Sequence, residues 1–560
     1  MLLFIAQLSA PTLQKGPIRL PARPPQEEAA DPRKENPPII QNEIVDPIDQ
    51  QGGRDSGRGN TSTNITIQTQ SLLSDEEIER LTHTCQKEYS SAKNTGDMCA
   101  KHVKSYLNSI GYITTQATAT AKDGRALINI NEGKLQEVSI SAGGGRLERK
   151  IKRLTSPLQG EVLHLPSIQR QLRLLKTIPG VKSIAARLAS INDDIQTAKL
   201  AIDVEAGAPA WKGNLSLNNS GNNGSGELTL QGGLLKQNLI TQDDSFFVYG
   251  KAEGTGEPKL GNLIKSVSYT FPASDSIYIT TSGGHSKRKY IEYKSPADDL
   301  SNSQLQGQAQ VEWVFNESLT HRNSAFVSYS WSGSELRIDG KKLPKAITPD
   351  IVSTPESGYI RYGVNSSGMI NRMNWNGSVY LLNGISAGIP DNQINELKSI
   401  GIKPNEATAL SGILSASYQI NPEWQLSTRV GGQVAFNNLL PTMQFNIGSD
   451  IGLRGLPGQL VSGDSGWMAA AESPVTIWRR NSNSVQVVPF IGAGGVNTDI
   501  QSHSINDTAG AGGLFMRWNS GRQWLVEIGW VDSFYTDDNQ GEWNNWSLGS
   551  GLYANARYAF

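Results

Sequence analysis

The sequence predicts a transmembrane β-barrel of about 16 antiparallel strands, preceded by two small α/β domains and an N-terminal extension. Three observations carry that prediction. Only four of the 40 aromatic residues lie in the first 210 positions, and all 12 Trp lie beyond them. The remaining 350 residues repeat short segments of alternating hydrophobicity, with no apolar run of 18 residues anywhere. That excludes membrane-spanning helices but not spanning strands, whose alternation averages to a soluble-looking hydropathy. Finally, residues 63–206 contain one α/β unit twice, an internal repeat of about 70 residues. With 51 basic and 52 acidic residues the net charge is −1, which argues against a nucleic-acid partner.

Residues 1–10, MLLFIAQLSA, form a short apolar run ending in small residues. They read as the back half of a secretory signal lacking its positive n-region, or as the start of an amphipathic helix. Both readings stay open for residues 1–20. Residues 21–62 are a Pro/Gly-rich linker of mixed charge with few large apolar residues, and so have no core of their own.

The first α/β unit occupies residues 63–134. A strand at 63–69 leads to Ser74-Asp75-Glu76-Glu77, a capping box that opens a helix. A second helical pattern runs over 97–110 and stops at Gly111, and strands follow at 112–121 and 125–131. The second unit, residues 135–208, repeats the order: strand 135–141, helices 146–154 and 166–178, strands 181–190 and 196–205. Cys85 and Cys99 are the only cysteines, one in each helical pattern of the first unit. An even pair in an exported domain reads as a disulfide, and the six scattered His supply no pair at metal-ligand spacing.

Residues 209–560 carry the barrel pattern. Its clearest strand is 523–531, with Trp524, Val526, Ile528 and Trp530 on one face and Gln523, Leu525, Glu527 and Gly529 on the other. Apolar residues with terminal Trp, opposite a face bearing Gln and Glu, suit a strand between lipid and lumen. The last strand alternates likewise and ends on Tyr558 and Phe560. Within this region, residues 451–474 begin with the turn Gly452-Leu453-Arg454-Gly455-Leu456-Pro457-Gly458. Three glycines and a proline there specify a tight backbone presenting one charged side chain, Arg454.

These parts resemble the outer-membrane transporters of two-partner secretion, the TpsB family of the Omp85 superfamily. The resemblance rests on the paired β-α-α-β-β repeats, with Gly111-Tyr112 and Asn131-Glu132-Gly133 at favoured places, the Leu-Arg-Gly turn and the C-terminal Phe560. It spans essentially the whole chain. It implies that residues 63–134 and 135–208 are periplasmic POTRA domains, that residues 1–20 are either a signal remnant or a plug helix, and that Leu453-Arg454-Gly455 tips a loop folded back into the lumen. Leu456 stands where the family has an aromatic residue. Family members also carry Phe-x-Asp-x-Gly on a later strand, whose Asp receives the loop arginine; here Gly492 takes the place of the acid. The nearest alternative acceptors are Asp464 and Glu472, and Glu472 is preferred because it lies in a predicted strand.

The sequence has no nucleophile elbow or P-loop in a strand–loop–helix context, so neither an enzyme nor a cofactor is expected. The resemblance implies translocation of an unfolded exoprotein of the TpsA type, captured through its N-terminal secretion domain and exported without nucleotide hydrolysis. The rival from the same superfamily is an outer-membrane assembly factor, which usually carries more POTRA repeats. Outer-membrane lipid and the barrel-assembly machinery, reading Tyr558 and Phe560, are the other implied partners. A three-stranded unit leaves a sheet edge open, so Val181, Ser183, Ala185 and Arg187 are the expected cargo-binding edge.

Overall fold

The computed structural model describes residues 40–42, 64–69, 72–89, 94–122, 125–192, 194–257, 259–292, 300–343, 348–500, 503–535 and 542–560. The expected signal or plug segment, residues 1–20, lies outside them. So does all of the linker except a three-residue strand, β1 (Ile40–Asn42).

The first α/β domain comprises β2 (Asn64–Gln68), α1 (Asp75–Tyr89), α2 (Thr95–Ser109), β3 (Gln116–Lys122) and β4 (Arg125–Asn131). Its sheet runs β2–β4–β3, with β2 parallel to β4. Ser74 and Glu77 close the capping box: the Ser74 amide donates to Glu77 Oε2 at 2.9 Å and the Glu77 amide to Ser74 Oγ at 3.4 Å. Period-two burial on β4 (Ala126, Ile128, Ile130) meets Leu81, Val103 and Leu107 of the helices to form the core. The Cys85–Cys99 disulfide joins α1 to α2 inside that core.

The second domain comprises β5 (Lys134–Ser141), α3 (Gly145–Thr155), α4 (Leu165–Lys176), β6 (Val181–Ile191) and β7 (Asp194–Ala206). Its sheet runs β1–β6–β7–β5, so the linker strand occupies the outer edge. Gly111 makes the joint between the domains. It sits at φ +104°, its carbonyl accepts from the Leu165 amide at 3.0 Å, and a Cβ there would lie 2.4 Å from Pro166 Cδ. Tyr112 packs against His164, which also bonds the Ile110 carbonyl at 3.0 Å. Only glycine satisfies both the backbone angle and the close approach.

The C-terminal unit is a closed antiparallel barrel of 16 strands. Closure pairs the first strand, Lys212–Asn218, with the last, Leu552–Ala559, and Phe560 and Gly213 exchange backbone hydrogen bonds at 2.9 Å. One strand comes in two pieces, Ser465–Glu472 and Val475–Arg480, parted at Ser473-Pro474, because proline brings no N–H to the ladder. Outward side chains such as Trp313, Val327, Ile528 and Trp530 are exposed, while Gln310, Ser324, Ser328 and Glu527 are buried on the lumen side. That alternation is the one a barrel in lipid requires.

Between the strand Gln425–Ala435 and Ser465–Glu472 the chain folds back into the lumen. A short hairpin, Phe445–Ile447 against Val461–Gly463, forms the stalk of this loop. Its tip buries Leu453 and Leu456 completely among Met468, Val488, Phe490, Ala511, Phe515 and Val531 of the wall. Leu456, standing where the resemblance expects an aromatic, is thus a core residue of the tip.

Candidate loop-anchoring site in the barrel lumen

Two left-handed glycines shape the tip, Gly452 at φ +110° and Gly455 at φ +82°. A Cβ on Gly455 would lie 2.3 Å from Val531 Cγ1, so the backbone lies directly against the wall. Between them Arg454 projects into a polar cluster. Its Nε pairs with Glu472 Oε1, its NH1 reaches Glu527 Oε2 at 3.0 Å, and NH1 also donates to the Tyr553 hydroxyl at 2.8 Å. The guanidinium carbon lies 5.2 Å from the Phe515 ring centre, within cation–π range. A planar fork spreads its donors over separate nitrogens and so reaches two carboxylates and a phenol that lie apart, whereas the donors of an ammonium all radiate from one atom.

Arg517 completes the cluster. Its Nε donates to Glu527 Oε1 at 2.8 Å, and its NH2 lies 3.5 Å from Glu472 Oε2. Two arginines thus share two glutamates, and Asn555 and Tyr553 also donate to Glu527, at 3.0 and 3.2 Å. Glu527 is almost wholly buried, and a buried carboxylate is stable only when its lone pairs are filled in this way. It supplies the acid that Gly492 lacks. The reason for Gly492 is steric: a Cβ there would come within 3.0 Å of Leu453 Cδ2, and one on Gly494 within 3.2 Å of Leu453 Cδ1. The strand at Gly492 and Gly494 thus makes room for an aliphatic tip.

Asp464, the other sequence candidate, sits at the root of the loop. Its carboxylate accepts from Gln444 at 2.9 Å and its amide donates to Thr498 Oγ1 at 2.6 Å. Sequence reasoning missed Glu527 and Arg517 as members of the site. Glu527 carried a usable signal, a lone acid on the lumen face of the clearest strand.

A second anchor, not foreseen, holds the far side of the loop. Asp450 lies 3.3 Å from Lys251 Nζ, and Lys251 also pairs with Glu253 at 2.7 Å. Asn222 and Asn262 donate to Glu253 at 2.5 and 2.8 Å. Backbone bonds add to it: Gly458 donates to the Gly221 carbonyl at 2.8 Å and Gln459 to Asn222 Oδ1 at 2.7 Å. The loop therefore ties the strands at the C-terminal end of the barrel to those at its N-terminal end.

The remaining predicted residues lie elsewhere. Tyr558 and Phe560 stack 6.1 Å apart beside the closing seam. On β6, Ser183, Ala185 and Arg187 are exposed and Val181 is half-buried. The edge expected to be open is covered at Ala186–Leu188 by β1, a pairing that no local pattern in the linker announces.

The outer membrane transporter CdiB of Dickeya dadantii (strain 3937) is 27% identical over 141 residues, covering 25% of this chain and 24% of that protein. The chain thus aligns with about a quarter of that relative's length. The solved structure of CdiB from Escherichia coli superposes with a TM-score of 0.57 at 15% identity, covering 95% of both chains. CdiB from Acinetobacter baumannii gives 0.53 at 16%, covering 96% of both. At such identities the likeness is one of fold. The haemolysin secretion/activation protein family ShlB/FhaC/HecB matches residues 196–514, 319 of the 560 positions. The chain therefore belongs to that family, the TpsB branch of the Omp85 superfamily, with its barrel in the outer membrane and its α/β domains in the periplasm.

Proposed function

We propose that this chain translocates an unfolded exoprotein of the TpsA type across the outer membrane, receiving it on the POTRA domains and passing it through the barrel. The observation that supports this reading is the fold-back loop held inside a closed barrel by Arg454, in a chain whose N-terminal part carries two α/β units that we take as the receivers of the extended cargo. A pore filled by an anchored loop is suited to conditional passage rather than open diffusion. Folding of the cargo outside supplies the direction, so no nucleotide is needed. Capture uses the N-terminal secretion domain of the cargo, and Val181, Ser183, Ala185 and Arg187 lie along the receiving edge.

The test is co-expression with a large β-helical exoprotein carrying such a secretion domain. The exoprotein should appear in the medium with the intact chain and stay cell-associated without it. If it stays cell-associated in both cases while the chain restores assembly of other outer-membrane barrels, the assembly-factor reading replaces this one.

A further inference from the structure

The outer edge of the second POTRA sheet already holds a strand of the chain itself. β1 runs parallel to β6 with Ile40 opposite Ala186, Gln41 opposite Arg187 and Asn42 opposite Leu188. It covers three of the 11 residues of β6. Among the described residues, no strand lies on the outer side of Val181–Ala185. The opposite edge of the sheet is poorly suited to pairing, since β5 carries a bulge between Leu135 and Glu137 and is bridged at Lys134 by Val162. Strand addition therefore has one good site on this sheet.

We propose that β6 is a strand-exchange site, where an extended segment of the exported polypeptide adds parallel to β6 and displaces β1. This rests on the export reading above. An uncovered sheet edge is a template for unwanted pairing, and a short stand-in hides it between cargoes. Three residues of parallel pairing hold weakly, because each backbone bond gained replaces one to water. A longer segment that also pairs with Val181–Ala185 outcompetes it. The side-chain pattern of β6 sets the partner's chemistry. Ala186 and Leu188 are buried while Ala185 and Arg187 are exposed. The incoming strand therefore needs apolar residues at alternate positions, with a polar or acidic residue beside Arg187.

The test uses the full chain in detergent and a fluorescent peptide copying residues 39–45 as the competing strand. Replacing the stand-in (Ile40→Gly, Gln41→Ser, Asn42→Gly) should tighten peptide binding about tenfold, as expected if the edge is free about one-tenth of the time in the native chain. The pair Gln41→Cys with Arg187→Cys, oxidised, should abolish peptide binding, and mild reduction should restore it. Unchanged affinity in the triple variant, or equal binding by the oxidised and reduced pair, overturns the proposal. If both variants behave as expected and no exoprotein is exported, the export reading falls and the exchange site stands. Export with unaltered peptide binding gives the converse.

Discussion

Substituting Arg454 by Ala removes one guanidinium from a cluster in which Glu527 is 1% exposed and Glu472 23% exposed. Breaking a buried ion pair from one side costs about 3–5 kcal/mol. Here the loss is smaller. Glu527 keeps Arg517, Asn555 and Tyr553, and the pair with Glu472 is partly solvated. Discounting for both leaves about 2–3 kcal/mol, a rise of about 30- to 150-fold in the undocked fraction of the loop. Leu456 is fully buried in the docked tip, so a Leu456→Cys reporter labels with an impermeant maleimide only when the loop opens. On whole cells the labelling rate in the Arg454→Ala background should rise by that factor at unchanged barrel levels. Arg454→Lys should fall between, because one ammonium cannot span Glu472, Glu527 and Tyr553. A rise under about threefold would refute the idea that this cluster holds the tip.

The second anchor predicts a compensation. Lys251→Met takes from the buried Glu253 the cation it is paired with and leaves it the hydrogen bonds from Asn222 and Asn262, destabilising the barrel by about 3–5 kcal/mol; adding Glu253→Gln should recover most of it, read as the temperature of heat-modified gel migration. Replacing Cys85 and Cys99 by Ser opens a loop of sequence separation 14 and should lower the stability of the first α/β domain by about 3 kcal/mol. Denaturant midpoints under non-reducing conditions measure it. Hydrogen bonds from the Ser74 amide, the Tyr106 hydroxyl and the Ser74 hydroxyl hold the Glu77 carboxyl near pKa 2, against an ordinary 4.5. A depressed carboxylate stabilises the fold above its unfolded value, and that contribution fades as pH falls from 4.5 towards 2. Amide exchange in α1 should quicken across that window in the native chain, and Glu77→Gln should flatten the dependence.

Period-two alternation along single strands, the aromatic partition and the repeated α/β unit are local patterns, so barrel, repeats and capping box were legible in order along the chain. The disulfide was equally legible, because two cysteines on consecutive helices had no other partner. The Arg454 site was legible by halves. Glu472 lies 18 residues away on a neighbouring predicted strand, whereas Glu527 lies 73 away. Its place beside Arg517 depends on the register of two strands. Register is an agreement between distant segments, set by which faces bury together, and no single stretch encodes it. The same holds for Lys251 and Asp450, 199 positions apart, and for β1 on β6, where pairing runs through backbone groups that every residue shares. What the sequence determined alone was which residues could face lipid, lumen or core. Closure of the barrel and the route of the returning loop decided which charges meet, because only the assembled wall puts the buried Glu527 within reach of the half-buried Arg454 guanidinium.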